Sequence, residues 1–301
     1  MDRFSSMATF VRVAELGSLS AAARELGVSQ PAVSQQITGL ERHLGTRLFQ
    51  RSTRKLALTS TGETYLRRAR RIIDEVAEVE DNLVGLSAEL KGSLRIQAPS
   101  GFGQKYLVPL IVDFHRRHPD LIVEVVLGDH LADLVEEGVD VAFRLGTLAS
   151  AGLVARKIGS VSRILVASRD YVATHGNPET PDELARHFHV RFSWTPAGEH
   201  LILIGPQGRI TVEARSIFRA NNSFVLVEAI RSGLGVGGVQ LPLVHDLLEK
   251  GELFRVMQHY AYPPMDLHAV YPSRRFIPRK VRALVDHIVG NLPHVSGLDM
   301  L

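Results

Sequence analysis

SLSAAARELGVSQPAVSQQITGLERHL, residues 18–44, decides how the N-terminal part of this chain is read. Two short apolar-periodic segments meet at Gly27-Val28, and the second opens on Ser29-Gln30-Pro31. The Ser29 hydroxyl suits an N-cap, where it accepts from a free backbone N–H, and Pro31 suits a first turn, where no N–H is needed. Val33, Ile37, Leu40 and Leu44 then step by four, three and four, which predicts one buried helical face. On the opposite face Gln30, Ser34 and Thr38 form a row, with Pro31 and Gln35 beside it. An exposed helix carrying amides and hydroxyls suits the major groove of DNA. Gln can bond adenine through both ends of its amide, hydroxyls bond several base edges, and a Pro ring touches a thymine methyl. The stretch reads as a helix-turn-helix whose second helix enters DNA, although a plain helical hairpin shares so short a pattern.

The next thirty residues favour the DNA reading. Residues 42–71 hold nine basic side chains (Arg42, Arg47, Arg51, Arg54, Lys55, Arg67, Arg68, Arg70, Arg71) against a single acid, Glu63. Such a run beside a groove-reading helix supplies the phosphate contacts that dominate affinity. Arg47, Arg51, Arg54, Lys55 and Thr59 are the candidate backbone contacts. Within the run, Leu48-Phe49 and Leu56-Ala57-Leu58 flank the polar turn 50–55, which predicts a two-stranded wing.

At this point the chain resembles the LysR-type transcriptional regulators. The resemblance is carried by Phe10, Val13-Ala14, Gly17-Ser18, Ala21-Ala22-Ala23, Leu26, Ser29-Gln30-Pro31-Ala32-Val33-Ser34 and Ile37. It continues through Leu40-Glu41, Leu44-Gly45, Arg47-Leu48-Phe49, Arg51, Leu58-Thr59 and Gly62-Glu63, and more loosely to the C-terminus. One departure is that many relatives place a base in the recognition helix where this chain has Gln35 or Thr38. The resemblance implies double-stranded DNA and a small-molecule effector as partners, self-association as a dimer or a tetramer built from two dimers, and RNA polymerase as a further candidate partner.

Residues 59–90 read as one long helix, capped by Thr59, Ser60 or Thr61, with Glu63 near the positive end of its dipole. Tyr65, Ala69, Ile72, Val76, Val79, Leu83, Leu86 and Leu90 alternate by four and three, a seam that predicts a partner helix, with Ile72, Val76, Val79, Leu83 and Leu86 as the dimer contacts. Bases come first along it and acids (Asp74, Glu75, Glu78, Glu80, Asp81, Glu89) later, so an antiparallel pair sets opposite charges together. The resemblance implies the same arrangement.

Lys91-Gly92-Ser93 forms a hinge, beyond which strands and helices alternate. Strands are expected at 94–96, 121–127, 139–144, 153–158, 162–168, 217–220, 235–239 and 267–271. Helices are expected at 103–117, 131–137, 223–232, 242–250 and 279–291. That order predicts an α/β unit with mainly parallel sheet. The resemblance implies two lobes like those of a periplasmic binding protein. The expected division is therefore a DNA-binding domain at 1–61, a linker helix and hinge at 62–91, and an effector domain at 92–301. Within the last, lobe I takes 92–161 and 268–301 and lobe II takes 162–267. Ser100, Gly101 and Phe102 follow the first strand and open a helix, Asn222 does likewise later, and Arg144 ends a strand. Free N–H groups and a guanidinium would hold a small organic anion there, with helix capping and an ordinary ion pair as the plain alternatives.

Composition agrees with a globular regulator: 45% hydrophobic residues, 22% charged, and a net charge of +3. No apolar run approaches the roughly 20 residues that span a bilayer, and no basic-then-apolar leader opens the chain, so a cytoplasmic protein without membrane contact is expected. The absence of cysteine removes disulfides and thiolate metal sites. Gly233-Leu-Gly-Val-Gly-Gly238 spells a dinucleotide loop but follows a helix instead of a strand, so it is expected to be close helix–sheet packing. His115, His118, His187 and His189 lack a supporting ligand set and are expected at the surface. With no GxSxG elbow and no phosphate loop, neither an enzyme nor a cofactor is expected. The alternative is an enzyme or metabolite-binding protein carrying a DNA-binding appendage.

Overall fold

The computed structural model describes residues 2–50, 56–84, 89–129, 134, 137–148, 154–193, 200–272, 277–292 and 296–300, with the backbone alone at 74, 75 and 77–84. Three helices open the chain: α1 (Arg3–Leu16), α2 (Leu19–Glu25) and α3 (Gln30–Leu44). Each begins on a side-chain cap, from Asp2, Ser18 and Ser29 respectively. Strands β1 (Phe49–Gln50) and β2 (Ala57–Leu58) pair antiparallel as the wing, and α4 (Ser60–Val84) follows. Phe10, Val13, Ala22, Val33, Ile37, Leu40 and Leu48 close a small core. Leu44, expected on that face, is exposed instead, because the helix ends there at left-handed Gly45 and runs past the core.

The start of α4 belongs to this head. Ala69 is buried in its core, and the Tyr65 ring meets Phe10 edge-on at 5.3 Å. Within the seam read from Tyr65 onward, Tyr65 and Ala69 therefore face the chain's own head, while Ile72 is exposed.

Past the hinge come β3 (Gly92–Ala98), α5 (Ser100–Phe102), a π turn (Gly103–Leu107), α6 (Val108–Arg117), β4 (Leu121–Leu127), β5 (Val141–Leu145) and β6 (Val154–Ser168). Then follow α7 (Arg169–His175), α8 (Pro181–Leu184), β7 (His189–Phe192), the hairpin β8 (His200–Gly205) and β9 (Gly208–Glu213), and β10 (Ser216–Ala220). The chain closes with α9 (Ser223–Arg231), β11 (Val236–Gln240), α10 (Leu241–Glu249), β12 (Leu253–Arg255), β13 (Tyr262–Tyr271), α11 (Arg279–Asn291) and β14 (Leu298–Met300).

Among the described residues ten strands make one mixed sheet, in the order β10-β7-β11-β6-β13-β5-β3-β4 with β12 and β14 on β6. The expectation of mainly parallel sheet needs correction. Pairs at both ends are parallel, but β6 pairs antiparallel with β11 and β13, and β13 antiparallel with β5. The reason is that β6 is a single fifteen-residue strand where two short ones were expected. It serves the first half of the sheet up to Val161 and the second half from Arg163, and β13 returns the opposite way from Tyr262 to Tyr271. Among the described residues a large and a small apolar core pack against the first half, and two against the faces of the second. The helix expected from Gly103 begins earlier, at Ser100, and the one expected at 131–137 falls largely outside the described residues.

Candidate nucleic-acid interface and effector cleft

The α2–α3 pair presents the reading face. Ser29 accepts from the Ala32 N–H at 3.3 Å, so its hydroxyl fixes where α3 starts. Ser29, Gln30, Pro31, Ser34, Gln35 and Thr38 are all exposed on one side of α3, while Val33, Ile37 and Leu40 are buried on the other. Gln30 accepts from the Ser20 hydroxyl at 3.1 Å, which steadies it against α2. Gln36, turned toward α1, accepts from the Thr9 hydroxyl at 2.6 Å.

Two features of this head escaped the sequence reading. Glu41 accepts the Leu48 and Phe49 N–H groups at 2.8 and 3.2 Å, tying the wing to the end of the recognition helix. A carboxylate three residues before the end of a helix gives no sequence signal of that role. Arg70 and Arg71, counted within the basic run, are engaged inside the chain: Arg70 with Glu15 at 2.6 Å and Arg71 with Asp140 at 3.5 Å. Arg47 is exposed beside the wing. Thr59 donates to the Arg47 carbonyl at 2.8 Å and accepts from the Gly62 N–H at 2.9 Å, so its hydroxyl caps α4. Arg51, Arg54, Lys55 and Leu86 lie outside the described residues, as do the side chains of Val79 and Leu83; Val76 is half-buried.

In the effector domain, Ser100 follows β3 directly and begins α5, with Pro99 in the cap position and no side-chain cap on its first N–H groups. A Cβ on Gly101 would stand 2.8 Å from that of Ser223, so the starts of α5 and α9 touch, and only glycine permits that approach. Asn222 caps α9, its Oδ1 accepting from the Phe224 and Val225 N–H groups at 2.9 and 3.3 Å. Ser100, Gly101 and Asn222 thus meet at one junction between the two halves.

The other two expected ligand contacts, Phe102 and Arg144, are both buried. Phe102 is fully buried in the core of the first half, its ring 5.2 Å from Tyr106, because the helix turns it inward as Ser100 turns out. Arg144 is 7% exposed and donates to Gln97 Oε1 at 2.5 Å. Its neighbour Phe143 faces the core, which puts Arg144 on the opposite sheet face. Burial pulls its pKa below that of an ordinary arginine, against the opposing field of Glu137 and Asp129. Gln97 was missed, since one amide in an apolar strand resembles a tolerated polar residue.

A second contact set holds the halves together. Tyr106 donates its hydroxyl proton to the Pro242 carbonyl at 2.6 Å, and Lys105 reaches Asp246 at 2.9 Å. The Lys105 hydrogen bond holds the Asp246 carboxyl below its usual pKa. Of the glycines at 233–238, Gly237 packs helix on sheet, where a Cβ would stand 2.3 Å from Ile230 of α9, while Gly235 and Gly238 fit against Phe188 and Tyr262. His189 is buried, with its ring against the Leu184 carbonyl at 3.0 Å, and His187 pairs with the Tyr171 hydroxyl at 3.1 Å. His189 corrects the surface expectation, while His187 is half-buried. No group of metal ligands occurs among the described residues, and no helix there is long and apolar enough to cross a membrane.

A capped reading helix with a wing, joined by a long helix to a two-halved α/β unit, defines a DNA-binding regulator with a ligand-binding domain. The helix-turn-helix model of the bacterial regulatory lysR family matches residues 4–63, and the LysR substrate binding domain matches residues 87–293. The chain belongs to the LysR-type transcriptional regulators. It is 32% identical over 291 residues to an uncharacterized HTH-type transcriptional regulator of Haemophilus influenzae, covering 94% of this chain and 99% of that one. It is also 32% identical over 301 residues to the HTH-type transcriptional activator AaeR of Escherichia coli, covering 99% and 96%. The structure of CrgA, a LysR-type transcriptional regulator from Neisseria meningitidis, superposes with a TM-score of 0.62 at 30% identity, over 96% of this chain and 99% of that one. This membership sets aside the enzyme with a DNA-binding appendage.

Proposed function

We propose that this regulator reads its operator through Ser29, Gln30, Pro31, Ser34, Gln35 and Thr38, and answers to a small organic anion held at the junction of Ser100, Gly101 and Asn222. The observation that carries the ligand reading is the uncapped start of α5 pressed against the start of α9. Unpaired N–H groups and the positive end of a helix dipole favour a carboxylate. Arg144, already bonded to Gln97 and offset by two acids, acts beneath the site as support. Domains at 1–61, 62–91 and 92–301, with lobes dividing near 161 and 267, accord with this reading, although α4 already begins at Ser60.

Two heads are needed for a partly palindromic site, and an antiparallel α4 pair through Ile72, Val76, Val79, Leu83 and Leu86 would supply them. Arg47, Arg51, Arg54 and Lys55 of the wing would hold phosphates. A tetramer of two dimers, RNA polymerase as partner and a cytoplasmic location follow from the family alone. A thermal-shift screen of small organic acids on the full chain tests the ligand. A true effector at 100 times its Kd adds about 2.7 kcal/mol, and a silent panel of carboxylates would refute the anion reading.

A further inference from the structure

We infer that the arginine turn of α4, Arg67 to Arg71, couples the effector domain to the reading head within one chain. The inference builds on the cleft being the effector's site, but its test needs no effector.

Neighbouring arginines of this turn reach in two directions. Arg70 Nη2 pairs with Glu15 Oε1 of α1 at 2.6 Å. Glu15 also takes Arg12 at 2.5 Å, and Arg12 holds Glu25 of α2 with its other nitrogen. Arg70 is thereby attached to the helices that carry α3. One residue on, Arg71 Nε approaches Asp140 Oδ1 at 3.5 Å. Arg67 lies under the same loop, where a Cβ on Gly138 would stand 3.3 Å from its own Cβ.

Asp140 is a firm anchor. Its Oδ2 accepts the Arg95 N–H at 2.8 Å, and its own N–H donates to the Arg95 carbonyl at 2.9 Å, which binds the loop to β3. The same loop leads into β5, whose far end holds Arg144 on Gln97 of β3. A shift of β5 against β3 at the cleft must move Asp140, and Asp140 cannot move without changing its hold on Arg71. The pair is partly shielded, with 26% exposure at Arg71 and 9% at Asp140. Such a contact is weak enough to be exchanged and sits where both domains bear on one helix.

Coupling is reciprocal, so DNA binding must be felt in the effector domain. The test uses the full chain and a duplex that the wild-type protein selects from a random-sequence pool. Amide hydrogen exchange is followed at residues 94–98 and 138–145, with and without that duplex. Binding is expected to alter exchange there in the wild type. Arg71→Gln should abolish the change while affinity for the duplex stays within about fivefold, since this partly shielded pair at 3.5 Å lies away from the reading face and contributes modestly. Arg71→Lys, which keeps the charge, should preserve it. Asp140→Asn, which keeps an oxygen for the Arg95 N–H, should behave as Arg71→Gln does.

Either an unaltered response in Arg71→Gln or the absence of one in the wild type overturns the inference. A uniform loss of affinity with a smaller salt slope, and exchange still responding, would make Arg71 a phosphate contact and overturn it too. Failure of the cleft reading would be visible separately, as organic acids that leave the thermal midpoint unmoved.

Discussion

The starts of α3 and α5 offer the same backbone groups in opposite ways. At Ser29 a hydroxyl closes the helix end, so the exposed side chains beyond it are free to meet a partner. At Ser100 no side chain closes the end, and Gly101 allows α9 to press close, so on the proposed reading the backbone itself would meet the ligand. A partner as long and regular as DNA is read by side chains in rows. On the proposed reading, a small ligand would instead be held by backbone brought together from segments more than a hundred residues apart.

The contrast can be broken first at the dimer. Leu83→Asp should bury a charge in the α4 seam at a cost of about 3–5 kcal/mol, leaving monomers with one reading head. Sedimentation and operator titration check this. An intact dimer would mean that two heads are joined elsewhere and that rows of side chains on α3 need no such seam.

A smaller effect is expected on the reading face. Gln35→Ala or Gln30→Ala should cost ~1–3 kcal/mol on the selected duplex and almost nothing on random DNA. Equal losses on both, measured by fluorescence titration, would move base reading off this face.

The smallest effect sharpens the contrast at the cleft. Ser100→Ala should weaken an organic-anion effector by about 0.5–1.5 kcal/mol, the worth of one hydrogen bond, with DNA affinity in its absence unchanged. Asn222→Ala should lower thermal stability by about 1 kcal/mol, because it removes the cap of α9. Calorimetry and thermal melting separate the two. If Ser100→Ala lowered thermal stability as Asn222→Ala does, a side chain would be closing α5, and the difference between a closed and an open helix start would fall.

The head was legible in the sequence because its signals are local. Ser29, Pro31, the steps Val33-Ile37-Leu40 and the wing strands all lie within a few residues of what they govern. The effector half was legible only in its regular elements. The short strand at His189–Phe192 and the hairpin at 200–213 went unread, and β6 was divided in two. Pairing of β7 and β6 with distant strands leaves no period in the chain, whereas the hairpin turns locally at Pro206-Gln207 and its signal was missed. The burial of Phe102 and Arg144 was illegible because proximity to Ser100 in sequence, or a position at a strand end, says nothing about which way a side chain turns. The seam of α4 was readable as a period, but that period could not tell its own head from a second copy.

Tyr106 and Lys105 give the effector domain a third fastening besides β6 and β13. Two strands alone would act as a door hinge, free to swing through a wide arc. A latch on α10 turns the door into a braced panel that flexes by small twists until the latch lets go. Stiffness of that sort would suit the coupling proposed through Arg71, because a loose panel would spend its motion before α4 felt it.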